Sequence, residues 1–177
     1  FMAKSLKQLY EDSVNDLKTS TIAGFPDTKK RQNVTGTVAV NNIKFIPYED
    51  SRSLEAHADV TSAGHRYQTA MLFREVQYEP NDSPDVVSFT GTDSTEHHIY
   101  AVSAVLNDVQ VRCTCLDFYF RFANQDYQND SLLGAAPPPY RRKTTTRPPV
   151  NPTNAVGMCK HLIKFADKLK DMQIMVD

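Results

Sequence analysis

Three cysteines and one histidine stand at a spacing that suits a metal ion: Cys113-x-Cys115 and Cys159-x-His161. Soft thiolates with one imidazole, four donors in all, are what tetrahedral Zn2+ takes in a closed structural site. The chain has 3 cysteines, an odd number that fits a secreted disulfide framework badly. His161 as fourth donor makes the set even. The competing reading is three buried free thiols beside an incidental histidine, since free cysteine is among the most buried residue types. A catalytic zinc needs an open coordination position, and four protein donors leave none. One structural Zn2+ is therefore the expected cofactor, and no catalytic residue is assigned.

Such a site needs two backbones that end in the right place. Val109–Arg112 alternates as a strand and runs straight into Cys113-Thr-Cys115. Its expected hairpin partner is Ile99–Val105, joined around Asn107-Asp108. The second pair needs a helix start. The closing helix spans roughly Ala155 to Met172, with Met158, Leu162, Phe165, Ala166, Leu169 and Met172 at helical spacing. Side chains two apart diverge on a regular helix, so Cys159 must lie at the loop-to-helix boundary, which Gly157 would permit. The helix N-terminus, with Arg112 and Lys160, would favour thiolates there.

This order, a hairpin strand ending in C-x-C and a helix beginning with C-x-H, resembles the SWIM-type zinc finger. The leading residues Val109-Gln-Val-Arg-Cys-Thr-Cys-Leu-Asp-Phe and the trailing Gly157-Met-Cys-Lys-His-Leu-Ile carry the resemblance. It covers Ile99–Leu169 with the middle excepted, because 43 residues (116–158) separate the two pairs. It implies a structural zinc on Cys113, Cys115, Cys159 and His161 and a binding role toward nucleic acid or protein. The stretches Asp117-Phe-Tyr-Phe-Arg-Phe, Pro137-Pro-Pro-Tyr and Asn151-Pro…Gly157-Met-Cys-Lys-His also look like proteins encoded by large tailed bacteriophages. That likeness implies a place in a virion and names no activity.

The rest of the chain reads as α+β and, at 177 residues, as one domain. Residues 1–33 give an N-terminal helix and loop: Leu6, Leu9, Tyr10, Ser13-Val14 and Leu17 share a face, and Gly24 and Pro26 end it. Residues 34–98 are β-rich. Thr35–Val40 and Ile43–Tyr48 flank Asn41-Asn42, which reads as a tight turn. Leu54–Val60 alternates, Ala63-Gly64 turns, Arg66–Tyr78 is a long strand and Val86–Thr90 a short one. A mostly antiparallel sheet of about seven strands follows. Residues 99–177 form the SWIM-like module, whose alternating aromatic block Phe118–Phe122 is expected as core beneath the zinc. A Pro-rich connection over 123–153 reads as a long loop without regular structure, the mark of a functional or partner-ordered segment.

Charge sharpens the division. The net is −1, but residues 1–110 sum to −5 and residues 111–177 to +4. A wholly basic nucleic-acid coat is excluded, and a local basic surface is not. Arg141, Arg142, Lys143 and Arg147, with Lys160 and Lys164, are the candidates for phosphate contact, and Tyr119, Tyr127 and Tyr140 for base stacking. The same residues fit a solvated loop and a polar helix face. Pro137, Pro138, Pro139 and Tyr140 match the proline-rich ligand of WW domains, or a stiff spacer. His57, His65, His97 and His98 read as ordinary surface or core histidines. Pro84-Asp85 suggests a metal-dependent nuclease core, but no acid-x-Lys follows, and phosphate-binding glycine loops are absent.

The expected function is accordingly non-enzymatic: a zinc-stabilised interaction or assembly protein, with a virion component as one form. The alternatives are a SWIM-type nucleic-acid-binding module and, more remotely, a metal-dependent nuclease. A protein partner or oligomer is expected, with no membrane and no small-molecule substrate. No apolar run reaches about 18 residues, and the first residues lack a signal-peptide stretch. Location inside the cell, in a host cytoplasm or incorporated into a virion, is the matching expectation.

Overall fold

The computed structural model describes residues 12–25, 38–138, 146 and 149–177. The fold is α+β, with an N-terminal helix, mostly antiparallel sheets and a C-terminal helix. Among the described residues the order is α1 (Val14–Gly24), β1 (Ala39–Tyr48), β2 (Ser53–Ser62), β3 (His65–Phe73), β4 (Tyr78–Glu79), β5 (Val87–Thr90), β6 (Glu96–Ile99), β7 (Val102–Ser103), β8 (Val109–Cys113), α2 (Leu116–Arg121), α3 (Ala123–Gln128), α4 (Lys160–Asp171) and β9 (Met175–Val176). The strands make a four-stranded sheet β1-β2-β3-β8, a three-stranded sheet β4-β6-β5 and a pair β7-β9.

Period-two patterning sets the large sheet. Leu54, Ala56, Ala58 and Val60 of β2 are buried while the residues between them are half-covered. Met71 and Phe73 of β3 and Val109 and Val111 of β8 add to the same core. Onto it packs α4, whose Leu162, Phe165, Ala166 and Leu169 recur at helical spacing and are buried. The β2–β3 turn is the expected one, with Ala63 (φ 51°) and Gly64 (φ 79°) both left-handed as a two-residue primed turn requires.

Six local expectations are corrected. Asn41-Asn42 is not a hairpin turn: β1 runs through it. Between the pairs Asn41↔Asp59 and Lys44↔His57 the register shifts. Asn42 takes φ 53°, and its side chain donates to Asp59 Oδ2 at 2.9 Å, so the residues that favour a turn serve a bulge instead. The strand from Arg66 stops at Phe73, and β4 begins separately at Tyr78.

The cysteine-bearing strand does not pair with Ile99–Val105. β8 pairs antiparallel with β3 from Thr69↔Cys113 to Phe73↔Val109. β7 is taken instead by the C-terminal β9 in a parallel pair, Val102↔Met175.

The aromatic block is helical rather than alternating, so Phe118 and Phe122 go inward while Tyr119 and Phe120 face out. The loop expected over 123–153 begins with helix α3 and returns to the sheet edge. There the Val111 amide donates to the Ser131 carbonyl and the Leu133 amide to the Val111 carbonyl. At the N-terminus Ser13 caps α1 rather than lying within it. Its hydroxyl accepts from the Asp16 amide, and Asp16 accepts from the Ser13 amide. The predicted positions Leu6, Leu9 and Tyr10 lie outside the described residues.

Candidate metal centre

Each ligand is delivered by the end of an element. Cys113 closes β8, and Cys115 is the N-cap of α2 in an extended conformation (φ −72°, ψ 153°). Cys159 is the N-cap of α4 (φ −71°, ψ 168°), and His161 lies in the first turn of that helix. The extended cap resolves the spacing problem: a residue outside the helix and one inside its first turn point the same way, whereas two helical residues would diverge.

Gly157 is needed for a reason other than conformational freedom. A Cβ there would stand 2.4 Å from Thr21 Oγ1 and 2.5 Å from Phe122 Cε1. The Gly157 amide donates to Asp126 Oδ1 (2.9 Å) and the Met158 amide to Thr21 Oγ1 (3.0 Å). The run into Cys159 is thus clamped between α1 and α3.

The four ligand atoms lie within 4.8 Å of one another, and all four residues are buried. His161 Nδ1 is 3.8 Å from both Cys113 Sγ and Cys159 Sγ. A tetrahedral ion with Zn–S of about 2.3 Å and Zn–N of about 2.0 Å places S and N about 3.5 Å apart, so the residues fit such an ion with small adjustments. The donor set is three sulfurs and one nitrogen, and it could hold a metal ion. Nδ1 is the nitrogen on the sulfur side. Nε2 is buried with no hydrogen-bond partner among the described residues. The imidazole lies over the Tyr67 ring at 4.3 Å between centroids, which fixes its plane.

Electrostatics agree with a site for a cation. The Phe118 amide donates to Cys115 Sγ at 3.3 Å, the bond a helix N-terminus offers to a thiolate. The Cys115 thiol is held well below its ordinary range because Cys113 and Cys159 donate to its sulfur. Cys113 is pushed up to about 12 by its bond to Cys115, with burial adding to this, and Cys159 is pushed up chiefly by burial. Without a cation, three ionised sulfurs cannot share this pocket. A divalent ion removes that obstacle.

Outside the cluster the predicted site residues are not brought together. Arg141, Arg142, Lys143, Arg147, Pro139 and Tyr140 lie outside the described residues. Pro137 is half-buried and Pro138 exposed. Lys160 and Lys164 sit one turn apart on α4, both half-buried, and Arg112 turns away from the cluster to donate to the Leu133 and Ala135 carbonyls.

The arrangement also has a part that the sequence reading missed. A groove of about 800 Å3 opens beside the cluster, lined by Tyr67, Leu116, Phe120, Val150, Lys160 and His161 among others. Leu116 is 71% exposed, Phe120 48% and Val150 50%. Leu116 and Phe120 stand four apart, the spacing of one helix face, and the period-two look of Phe118–Phe122 masks that signal in the sequence. Among the described residues no helix is long and apolar enough to cross a membrane. No family model, no curated protein and no solved structure matches this chain.

Proposed function

We propose that this chain is a zinc-stapled interaction protein without catalytic activity. The observation that carries the reading is the closed, buried Cys113-Cys115-Cys159-His161 cluster: four protein donors leave a metal no position for substrate or water. Zn2+ is the ion that best suits three thiolates and an imidazole. It joins the end of β8 to the start of α4, in the strand-then-helix order that motivates a SWIM-type assignment. The interaction half of the reading is supported by the groove beside the cluster, where Leu116, Phe120 and Val150 leave apolar surface in water. A protein partner or a further copy of the chain, including assembly into a larger particle, is the favoured occupant. Nucleic acid is the second reading, favoured by Lys160 standing in the same groove as Tyr67 and Phe120.

Elemental analysis of the purified protein tests the first half, with one zinc per chain expected and a metal content near zero fatal to it. Sedimentation and cross-linking in the native source test the second. A complex is expected that is lost in Leu116→Ser/Phe120→Ser while the zinc content is kept. A monomer with no stable partner at micromolar concentration refutes the interaction role. Binding to single-stranded nucleic acid that weakens steeply with salt, with no protein complex, would give the second reading precedence.

A further inference from the structure

His97 lies on β6, in the small sheet, and is 8% exposed. Its Nδ1 is 2.7 Å from Glu49 Oε1, and its Nε2 is 2.8 Å from Asp93 Oδ2. Ionised carboxylates only accept hydrogen bonds, so both ring nitrogens must carry hydrogen for both bonds to exist. With both carboxylates ionised, a ring that makes both bonds is an imidazolium. Glu49 belongs to the turn between β1 and β2, and Asp93 to the turn between β5 and β6, so one ring bridges two sheets. Phe89 of β5 stacks on the imidazole (5.6 Å, 23°), and Tyr78 of β4 meets it edge-on at 6.3 Å.

We propose that His97 is a proton-operated clasp: protonated, it ties the Glu49 turn of the large sheet to the Asp93 turn of the small one, and on losing its proton it releases the Glu49 turn. The choice of arm follows from the tethers. Asp93 sits four residues away on the same hairpin and also accepts from the Thr95 amide at 3.1 Å, so it stays with the ring. The Glu49 carboxylate makes no other hydrogen bond or ion pair among the described residues, while the Glu49 carbonyl accepts from the Arg52 amide at 3.1 Å and closes the turn itself. A neutral imidazole keeps one N–H, donates it to Asp93, and turns a lone pair toward the Glu49 carboxylate. The sheets remain joined behind the clasp, through Thr92 N–H to Phe45 O (2.9 Å) and the Phe45–Phe89 contact. What is lost is the side-chain tie to the tip at 49–52, which then rests on the Arg52 N–H to Glu49 O bond (3.1 Å) and the Val76 N–H to Arg52 O bond (2.8 Å).

The groups facing the ring set the direction of its titration. Burial alone pulls the pKa of His97 down. The hydrogen bonds and charges of Glu49 and Asp93 outweigh it and hold the pKa above the ordinary 6.5. Asp93 is correspondingly held below its ordinary value by the bond from His97. Tyr78, the other titratable group against the ring, is pushed up to about 12, chiefly by burial, and stays neutral. A folded pKa above the unfolded one means that the clasp acts in full below pH 6.5. It is lost as pH rises through the raised value.

The test uses the full chain and its ring-nitrogen NMR spectrum across a pH series, with hydrogen exchange of the 49–52 amides corrected for intrinsic rate. Both His97 nitrogens should be protonated at pH 6.5, with a midpoint above it. Protection at 49–52 should fall through that same midpoint. Glu49→Gln, a change at a half-exposed turn residue, should lower the midpoint and abolish the pH dependence of protection. A neutral single-tautomer ring below pH 6.5 overturns the proposal. So does a midpoint unmoved by Glu49→Gln, or a 49–52 turn equally protected on both sides of the titration.

Discussion

Cys159 shows most directly what one residue must do in this molecule. It ends the run from Gly157, is the extended N-cap of α4 without accepting from a helix amide, and has its sulfur 3.8 Å from His161 Nδ1. Serine keeps the backbone geometry and removes the soft donor. Cys159→Ser is therefore expected to lower the apparent zinc affinity by at least about tenfold while leaving the far-UV spectrum of the sheet in place. Proton competition makes the affinity of the unaltered protein depend on pH. Cys113 and Cys159 are both held protonated above the usual thiol range, so metal uptake must displace their protons. Affinity should fall as pH falls. Competitive chelator titration at several pH values measures both effects, and a pH-independent affinity would show that these thiols are not ligands.

Elements bring such residues together, and here α1 has a part beyond filling the core. Thr21 donates to the Leu17 carbonyl at 2.7 Å and accepts from the Met158 amide at 3.0 Å, across 137 residues of sequence. Thr21→Val keeps the shape and strips this bond, leaving a buried amide unpaired next to the ligand run. It should destabilise the fold by about 1–3 kcal/mol and lower zinc affinity with it, read by a thermal melt and the same chelator titration. An effect on stability with affinity untouched would mean that the helix does not brace the site.

The four clustered residues were legible in the sequence because each pair is a local pattern and their element ends announce themselves: an alternating run before Cys113, an amphipathic run after His161. The α+β class was legible from the same change of period. The partner of β8 was not, since the register Phe73↔Val109 is set by tertiary packing and no turn signals it. Asn41-Asn42 misled because left-handed asparagine serves bulges as well as turns. The bracing by Thr21 and the bridge from His97 to Glu49 join residues too far apart in sequence for any spacing to reveal.

At the scale of the whole molecule, a metal on the cluster would share the support of α4 with the apolar core. Two kinds of tie fix α4. Its first turn is held by Cys159 and His161 at the cluster, whereas Leu162, Phe165 and Leu169 are fully buried against the large sheet. Each such side chain contributes about 1.5–3 kcal/mol, so the three together supply on the order of 5 kcal/mol or more without any metal. Structural zinc contributes more in peptides that have no other core, about 10–16 kcal/mol. This chain differs from them in having a core beneath the helix.

Chelation is thus expected to loosen the cluster without melting the helix. Amides around 113–118 and 158–162 should lose protection from hydrogen exchange. Those of β2 and β3, and of α4 from Phe165 onward with the β9 pairing to β7 that depends on it, should keep theirs. The thermal transition should move down and remain a transition. If α4 and β9 lost protection together with the cluster, the metal would be the principal support of the C-terminal third. If the 158–162 amides were unchanged, the four side chains would not be holding a metal at all.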